Sequence, residues 1–106
     1  MDVKYSPHVK EKLEEISNSF SKIKFAKFIN SINDLSVNPN KGARVEGMIN
    51  IPSQYRFLHM QGFYVFYKVG KTAVYVINIY SEREDFMWKL FGISLRTNES
   101  IDFWGE

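Results

Sequence analysis

The first third of the chain changes from alternating to helical spacing of its apolar residues. Residues 2–6 alternate polar and apolar side chains and predict a short first strand. Ser6 followed by Pro7 predicts the start of a helix, because serine caps helix N-termini and proline is tolerated at the first helical position. The apolar positions that follow lie one helical turn apart and predict a helix from about Pro7 to Ser17: Val9, Leu13, Ile16 and Phe20.

A second apolar stripe predicts another helix, from Phe20 to about Ser36. Its members are Phe20, Ile23, Phe28, Ile32 and Leu35. Pro39 cannot continue a helix, and the asparagines and glycine around it suit a loop that ends near Gly42. Because the link between the two helices is short, we expect an antiparallel helical hairpin that lies on one layer.

Residues 43–80 favour β structure. Four strand candidates follow each other at residues 44–50, 54–60, 63–69 and 73–80. The connections Gln61-Gly62 and Gly70-Lys71-Thr72 are compact and suit hairpins, so the last three strands are expected to form an antiparallel meander.

The end of the chain predicts a short helix. Ser81 and Glu84 have the spacing of a capping box, which predicts a helix through about Phe91 and a stop at Gly92. We therefore expect one domain over residues 1–92 and a C-terminal tail over residues 93–106. The predicted fold class is α+β: an N-terminal strand and a helical hairpin packed on a mainly antiparallel sheet of four to five strands, with a short C-terminal helix.

Composition limits the chemistry that the protein can perform. The 106 residues include no Cys and only two histidines, His8 and His59, so disulfides and thiolate sites are excluded and neither a metal nor a cofactor is expected. The formal net charge is only +2, so contacts with nucleic acid require local placement of Lys and Arg. No apolar run approaches the roughly 20 residues of a membrane span, and we expect a soluble, cytoplasmic protein with no membrane partner.

Several short sequence phrases occur in a characteristic order. They are Leu35 to Gly42, Val45-Glu46-Gly47, Tyr55-Arg56-Phe57, Gly62-Phe63-Tyr64-Val65-Phe66-Tyr67 and Glu82-Arg83-Glu84-Asp85-Phe86. Together, through about residue 91, they resemble the toxins of the RelE/ParE family of bacterial type II toxin–antitoxin modules. The resemblance implies the predicted α+β fold, a toxin function and a cognate antitoxin as partner.

The resemblance also implies a site, and this chain departs from it. In the mRNA-cleaving branch, basic strand residues and a terminal tyrosine or histidine surround the RNA phosphate. Arg56 and Arg83 match two basic positions, whereas Tyr64 replaces an arginine, Glu82 a histidine and Met87 the terminal tyrosine. The resemblance favours ribosome-dependent mRNA cleavage, with ribosome and mRNA as partners. The alternatives are ParE-like, non-enzymatic poisoning of DNA gyrase, or a degenerate toxin that only binds its antitoxin.

The residue types themselves suggest roles. Cleavage by 2′-hydroxyl attack needs a proton acceptor and a cation beside the phosphate, so the candidate catalytic residues are Arg56, Arg83, Tyr64 and His59. Strand alternation, however, predicts that His59 lies on the face opposite Arg56. The alternative interpretations are a solvated Arg56, and an Arg83 paired with Glu82 or Asp85.

Two further residues are candidates for substrate binding. Phe66 and Lys68 share a predicted strand face with Tyr64, opposite the face that we expect to pack on the helices. Aromatic rings and a lysine on an open face suit stacking and pairing with nucleic acid or with an antitoxin segment. The alternative interpretation of the rings is a second, partly buried core.

Overall fold

The computed structural model describes residues 1–49 and 53–84. The elements are β1 (Asp2–Tyr5), α1 (Pro7–Ser19), α2 (Lys22–Asn33), a 3-10 turn (Asp34–Ser36), β2 (Ala43–Arg44), α3 (Val45–Ile49), β3 (Tyr55–Met60), β4 (Phe63–Val69) and β5 (Ala73–Ser81). The predicted α+β class and the helical and strand layers are confirmed. Within the described ranges, no helix is long and apolar enough to cross a membrane.

The five strands form one sheet in the order β1-β5-β4-β3-β2. β1 is parallel to β5, and every other pair is antiparallel. The turn between β3 and β4 consists of Gln61 and Gly62, with φ of 54° and 83°. Positive φ at both positions is typical of the two-residue hairpins that match strand twist, so the predicted meander is confirmed.

The helices follow directly from β1 and are capped by serines. The Val9 N–H donates to Ser6 Oγ at 3.2 Å, and the Lys24 N–H donates to Ser21 Oγ at 3.1 Å. The first helix runs two residues beyond its predicted end, to Ser19, and the second is divided into α2 and the 3-10 turn. Both helices contribute to the core beneath one face of the sheet.

The strand predicted at residues 44–50 is wrong for most of its length. Only Ala43 and Arg44 pair with β3, and Val45 already begins α3. The physical reason is the start of β3: Arg44 lies opposite Arg56, and β3 begins one residue earlier, at Tyr55. If β2 continued beyond Val45, its residues would have no partner in β3. In α3 the backbone N–H and C=O groups of this segment can form hydrogen bonds within the helix instead.

The two faces of the sheet carry separate apolar clusters. The helix-side core joins the helices to alternate strand residues, with Leu58, Val65, Tyr67, Val74, Val76 and Ile79 from the sheet. The open-face cluster lies on the other side and contains Val45, Phe66 and Tyr80, with Tyr55, Phe57, Tyr64 and Ile77 packed against it. The prediction that Tyr64 and Phe66 lie opposite the helix-packed face is confirmed.

A β-bulge in β5 lets both clusters use this strand. Phe66 pairs with Asn78, whereas the next residue, Tyr67, pairs with Val76, so Ile77 is an extra residue. Val76 and Ile79 consequently both face the helices although they are three positions apart. The shift also brings Tyr80 onto the open face beside Phe66.

The predicted C-terminal helix lies almost entirely outside the described residues, as does the predicted tail. The part that is described has one of the two contacts of a capping box. The Ser81 N–H donates to Glu84 Oε2 at 2.8 Å, and the Arg83 N–H donates to Ser81 Oγ at 3.2 Å. The first contact is the one that the Ser81–Glu84 spacing predicts, whereas Ser81 Oγ accepts from Arg83 and not from the Glu84 N–H, which donates to the Ser81 carbonyl at 3.1 Å.

Candidate functional site on the open face of the sheet

Aromatic rings form the centre of the open face. The ring centroids of Phe57 and Tyr64 are 5.8 Å apart, those of Phe57 and Phe66 6.0 Å, and those of Phe66 and Tyr80 6.1 Å. Phe66 is fully buried beneath the cluster, while Tyr64 is half-buried. Phe66 therefore supports this face from below, which agrees with the interpretation of the rings as a second core.

His59 and Glu82 form a polar pair at one end of this face. His59 Nε2 lies 2.6 Å from Glu82 Oε2, and both side chains are nearly half exposed. The imidazole stacks on Tyr64, with centroids 4.2 Å apart and planes 7° apart. The Glu82 N–H donates to the Gly62 carbonyl at 3.0 Å, which fixes the start of the turn after β5 beside the β3–β4 hairpin.

This pair has the chemistry of an oriented acid or base. A carboxylate that binds one imidazole nitrogen holds the ring in place and orients its other nitrogen. Glu82 occupies a position at which the family resemblance implies a histidine. Its pairing with His59 was not predicted from the sequence. The strand register could have predicted this pair. His59 lies two residues before the Gln61-Gly62 turn, and Glu82 follows the end of β5, which pairs with β4, so both residues lie at the same end of the sheet.

Arg56 lies on the other face, as strand alternation predicted. Its Nη1 donates to the Gly42 carbonyl at 2.9 Å and to the Asn40 carbonyl at 3.4 Å. The sheet thus separates this guanidinium from His59 and Tyr64, and its hydrogen bonds hold the loop that follows the 3-10 turn.

Tyr67 holds the same loop from inside the helix-side core. The Gly42 N–H donates to its hydroxyl at 2.9 Å, and the hydroxyl donates to the Pro39 carbonyl at 2.8 Å. Burial raises the pKa of Tyr67 above its ordinary value of 10.0, and the Gly42 N–H and the charge of Arg56 offset part of that rise. We call Gly42, Arg56, Tyr67 and their bonds to residues 39–42 the loop clamp.

Arg83 and Lys68 lie far apart: Arg83 follows the end of β5, and Lys68 lies near the end of β4 that pairs with the start of β5. Arg83 is exposed in the turn after β5, next to Glu82, which pairs with His59 rather than with Arg83. Asp85, its other predicted partner, lies outside the described residues. Lys68 lies opposite Tyr75, with Nζ 5.8 Å from the ring centroid. Lys68 lies four positions after Tyr64 on β4, which is about 13 Å along a strand.

The fold thus brings only some of the candidate residues together. His59 and Tyr64 meet, with Glu82 as a third member and Arg83 adjacent in sequence. Arg56 is excluded from this group by the sheet, Phe66 lies beneath it, and Lys68 belongs to the far end of the face.

The chain matches the sequence model of a known protein family. The sequence model of the family described as "ParE toxin of type II toxin-antitoxin system, parDE" matches residues 3–86. No curated protein matches the chain. The matched range includes every described element of the fold except the first residue of β1, and all six candidate site residues.

Proposed function

The chain belongs to the ParE toxin family of type II toxin–antitoxin systems, and from this premise we propose that it inhibits DNA gyrase by binding, without catalysing a reaction. Membership of a toxin–antitoxin family implies an antitoxin partner. The sequence already offered gyrase inhibition as an alternative, because several residues of the mRNA-cleaving branch are replaced in this chain. We now prefer gyrase inhibition to mRNA cleavage.

The separation of Arg56 from His59 carries this preference. Phosphodiester cleavage gains most when a cation and a proton acceptor converge on one phosphate. Here the guanidinium of Arg56 donates to loop carbonyls on the helix side, whereas His59 stacks on Tyr64 on the open side. A binding poison needs no such convergence. It needs a stable, shaped surface, which the aromatic cluster and the exposed turn at residues 82–83 provide.

Expression in bacteria with parallel readouts tests the proposal. Plasmid DNA should lose negative supercoiling soon after induction, before protein synthesis declines, and mapped mRNA ends should match those of uninduced cells. Translation arrest with new mRNA ends and unchanged supercoiling would contradict gyrase inhibition.

One observation favours mRNA cleavage as a second candidate function. The His59–Glu82 pair and the stacked Tyr64 place an acid–base group at one end of the open face, and Arg83 is exposed in the same turn, one residue after Glu82. In that reaction His59 would accept the 2′-hydroxyl proton as this oxygen attacks phosphorus. The 5′ oxygen would leave and take a proton from solvent, while Arg83 faced the phosphate charge.

His59→Gln separates the two candidates, and His8→Gln is its matched control because His8 is exposed on α1. If the chain cleaves mRNA, His59→Gln abolishes growth arrest because glutamine cannot transfer the proton. If the chain binds gyrase, His59→Gln still arrests growth and still changes plasmid supercoiling. His8→Gln should behave as the unmodified chain in both cases.

A further inference from the structure

A row of alternating lysine and tyrosine crosses four strands of the sheet. Lys4 of β1 lies opposite Tyr75 of β5. Tyr75 lies opposite Lys68 of β4, and Lys68 lies opposite Tyr55 of β3. Because directly opposed residues share a face, these four side chains form one line perpendicular to the strands. We call this line the Lys–Tyr row.

The row lies on the open side of the sheet. Lys4 is flanked by Val3 and Tyr5, which pack on the helix-side core, so alternation directs Lys4 away from the helices. Tyr75 is likewise flanked by Val74 and Val76, both buried in that core. At the other end of the row, Tyr55 packs against the open-face cluster.

The row borders a groove that is accessible to a ligand. The groove encloses about 440 Å³ and is lined by Lys4, Tyr5, Ser6, Lys68, Tyr75, Val76 and Ile77. Tyr75 is 37% exposed, and Lys68 Nζ lies 5.8 Å from its ring centroid. The row itself carries two positive charges and no acidic residue. The nearest acid on the same face of β1 is Asp2, two positions before Lys4 and at the end of the strand.

We propose that the Lys–Tyr row binds single-stranded nucleic acid, with phosphates on Lys4 and Lys68 and an unpaired base stacked on Tyr75. Neighbouring strands are about 4.8 Å apart, so the two lysines start about 10 Å from each other, on either side of the ring. Long lysine side chains can reach successive phosphates across that span. Alternation of cations with aromatic rings is the arrangement by which single strands are bound without sequence preference.

The row is distinct from the His59–Glu82 end of the face. Tyr64, on which His59 stacks, lies about 13 Å along β4 from Lys68. The inference therefore does not rest on gyrase inhibition or on mRNA cleavage. An acidic peptide is the competing occupant, and it is less favoured because carboxylates would use the lysines but leave the ring of Tyr75 without a role.

Fluorescence anisotropy of the full chain with a dye-labelled single-stranded DNA oligonucleotide tests the proposal. Lys4→Gln and Lys68→Gln should each weaken binding and flatten the dependence of log affinity on log salt by about 0.7. Tyr75→Leu should weaken binding by roughly fivefold to a hundredfold, whereas Tyr75→Phe, which keeps the ring, should retain it. Lys27→Gln is the matched charge control, because Lys27 is exposed on α2 beneath the other face.

Competition experiments complete the test. Unlabelled single-stranded DNA or RNA should displace the probe more effectively than a duplex of the same sequence or a polyglutamate peptide. Circular dichroism melting of each variant shows whether the fold is intact, and Tyr75→Phe keeps the stacking test independent of folding defects. Equal loss in Lys27→Gln, full binding by folded Tyr75→Leu, or displacement by polyglutamate as effective as that by DNA would each overturn the proposal.

Discussion

At the scale of single residues, the loop clamp restricts which side chains fit at its positions. Gly42 is buried; its N–H donates to the Tyr67 hydroxyl, and its carbonyl accepts from Arg56. A Cβ at this position would lie 2.6 Å from both the Phe57 carbonyl oxygen and the Tyr67 hydroxyl. Glycine is therefore required here by close approach rather than by backbone conformation.

Gly42→Ala should lower the free energy of unfolding by about 1–3 kcal/mol, because the added methyl group must displace the Tyr67 ring or the Phe57 backbone. Gly47→Ala is the control. Gly47 is exposed in α3 with open space around it, so alanine there should be neutral or should stabilise by about 0.5–1 kcal/mol through helix propensity. Urea unfolding followed by circular dichroism measures both. Equal stability of the two variants would contradict the close approach at Gly42.

Tyr67→Phe removes one hydroxyl that serves two backbone groups. The buried Gly42 N–H would lose its acceptor and the Pro39 carbonyl its donor, so we expect a loss of about 1–3 kcal/mol of unfolding free energy. Tyr75→Phe makes the same chemical change on an exposed ring and should alter the unfolding midpoint little. If the two variants unfold at the same urea concentration, the clamp does not stabilise the fold.

Tyr67 also predicts how stability depends on alkaline pH. Because burial raises its pKa in the folded state, the folded chain holds this proton more tightly than the unfolded chain. Its contribution is therefore complete below pH 10.0 and is lost as pH rises through the higher folded pKa. Tyr5, whose pKa burial also raises, adds a loss of the same sign. Unfolding midpoints across this range should fall less steeply for Tyr67→Phe than for the unmodified chain, and identical slopes would contradict the assignment.

At the scale of elements, the sequence correctly predicted those helices and turns that depend on neighbouring residues. The serine before Pro7, the helical stripes and the Gln61-Gly62 turn correctly placed two helices and the meander. The predicted strand at 44–50 failed because the length of β2 is set by its partner, β3, and not by its own side chains. The spacing of Val45 and Ile49, four residues apart, and Glu46 in the first turn are both compatible with the observed helix.

The same distinction applies to the candidate site. Alternation correctly predicted that Arg56 and His59 lie on opposite faces and that Tyr64 shares a face with Phe66. The pairing of His59 with Glu82 was missed, because it depends on where the turn after β5 crosses the end of a hairpin from another part of the chain. The Lys–Tyr row was missed for a related reason: it uses the parallel register between β1 and β5, which are about 70 residues apart.

The cap of α1 offers a test at this scale. Ser6→Ala removes the acceptor of the Val9 N–H and should cost about 1 kcal/mol of unfolding free energy. Ser17→Ala is the matched control: the Ser17 hydroxyl donates to the Glu14 carbonyl within the helix, and its loss should change stability by less than about 0.5 kcal/mol. Thermal melting followed by circular dichroism measures the stability of both variants. If Ser17→Ala were less stable than Ser6→Ala, the stabilising role of the Ser6 cap would be contradicted.

At the scale of the whole molecule, the sheet separates residues that stabilise the fold from residues that are accessible to a partner. The helices, the helix-side core and the loop clamp occupy one side, and Arg56 belongs to them. The open side presents the His59–Glu82 pair at one end and the Lys–Tyr row at the other, over a cluster that buries Phe66. Such a division favours a toxin that acts through a surface, because the residues needed for joint catalysis are distributed over both sides.

The most direct test is DNA supercoiling by purified gyrase in the presence of this chain. We expect inhibition that rises with toxin concentration, that is relieved by the cognate antitoxin, and that persists to the same extent in His59→Gln and His8→Gln. In a translation extract that contains the same toxin, mRNA should remain intact. Full supercoiling activity at toxin concentrations that stop translation in an extract, with mRNA cleavage that His59→Gln abolishes, would contradict a non-enzymatic gyrase poison.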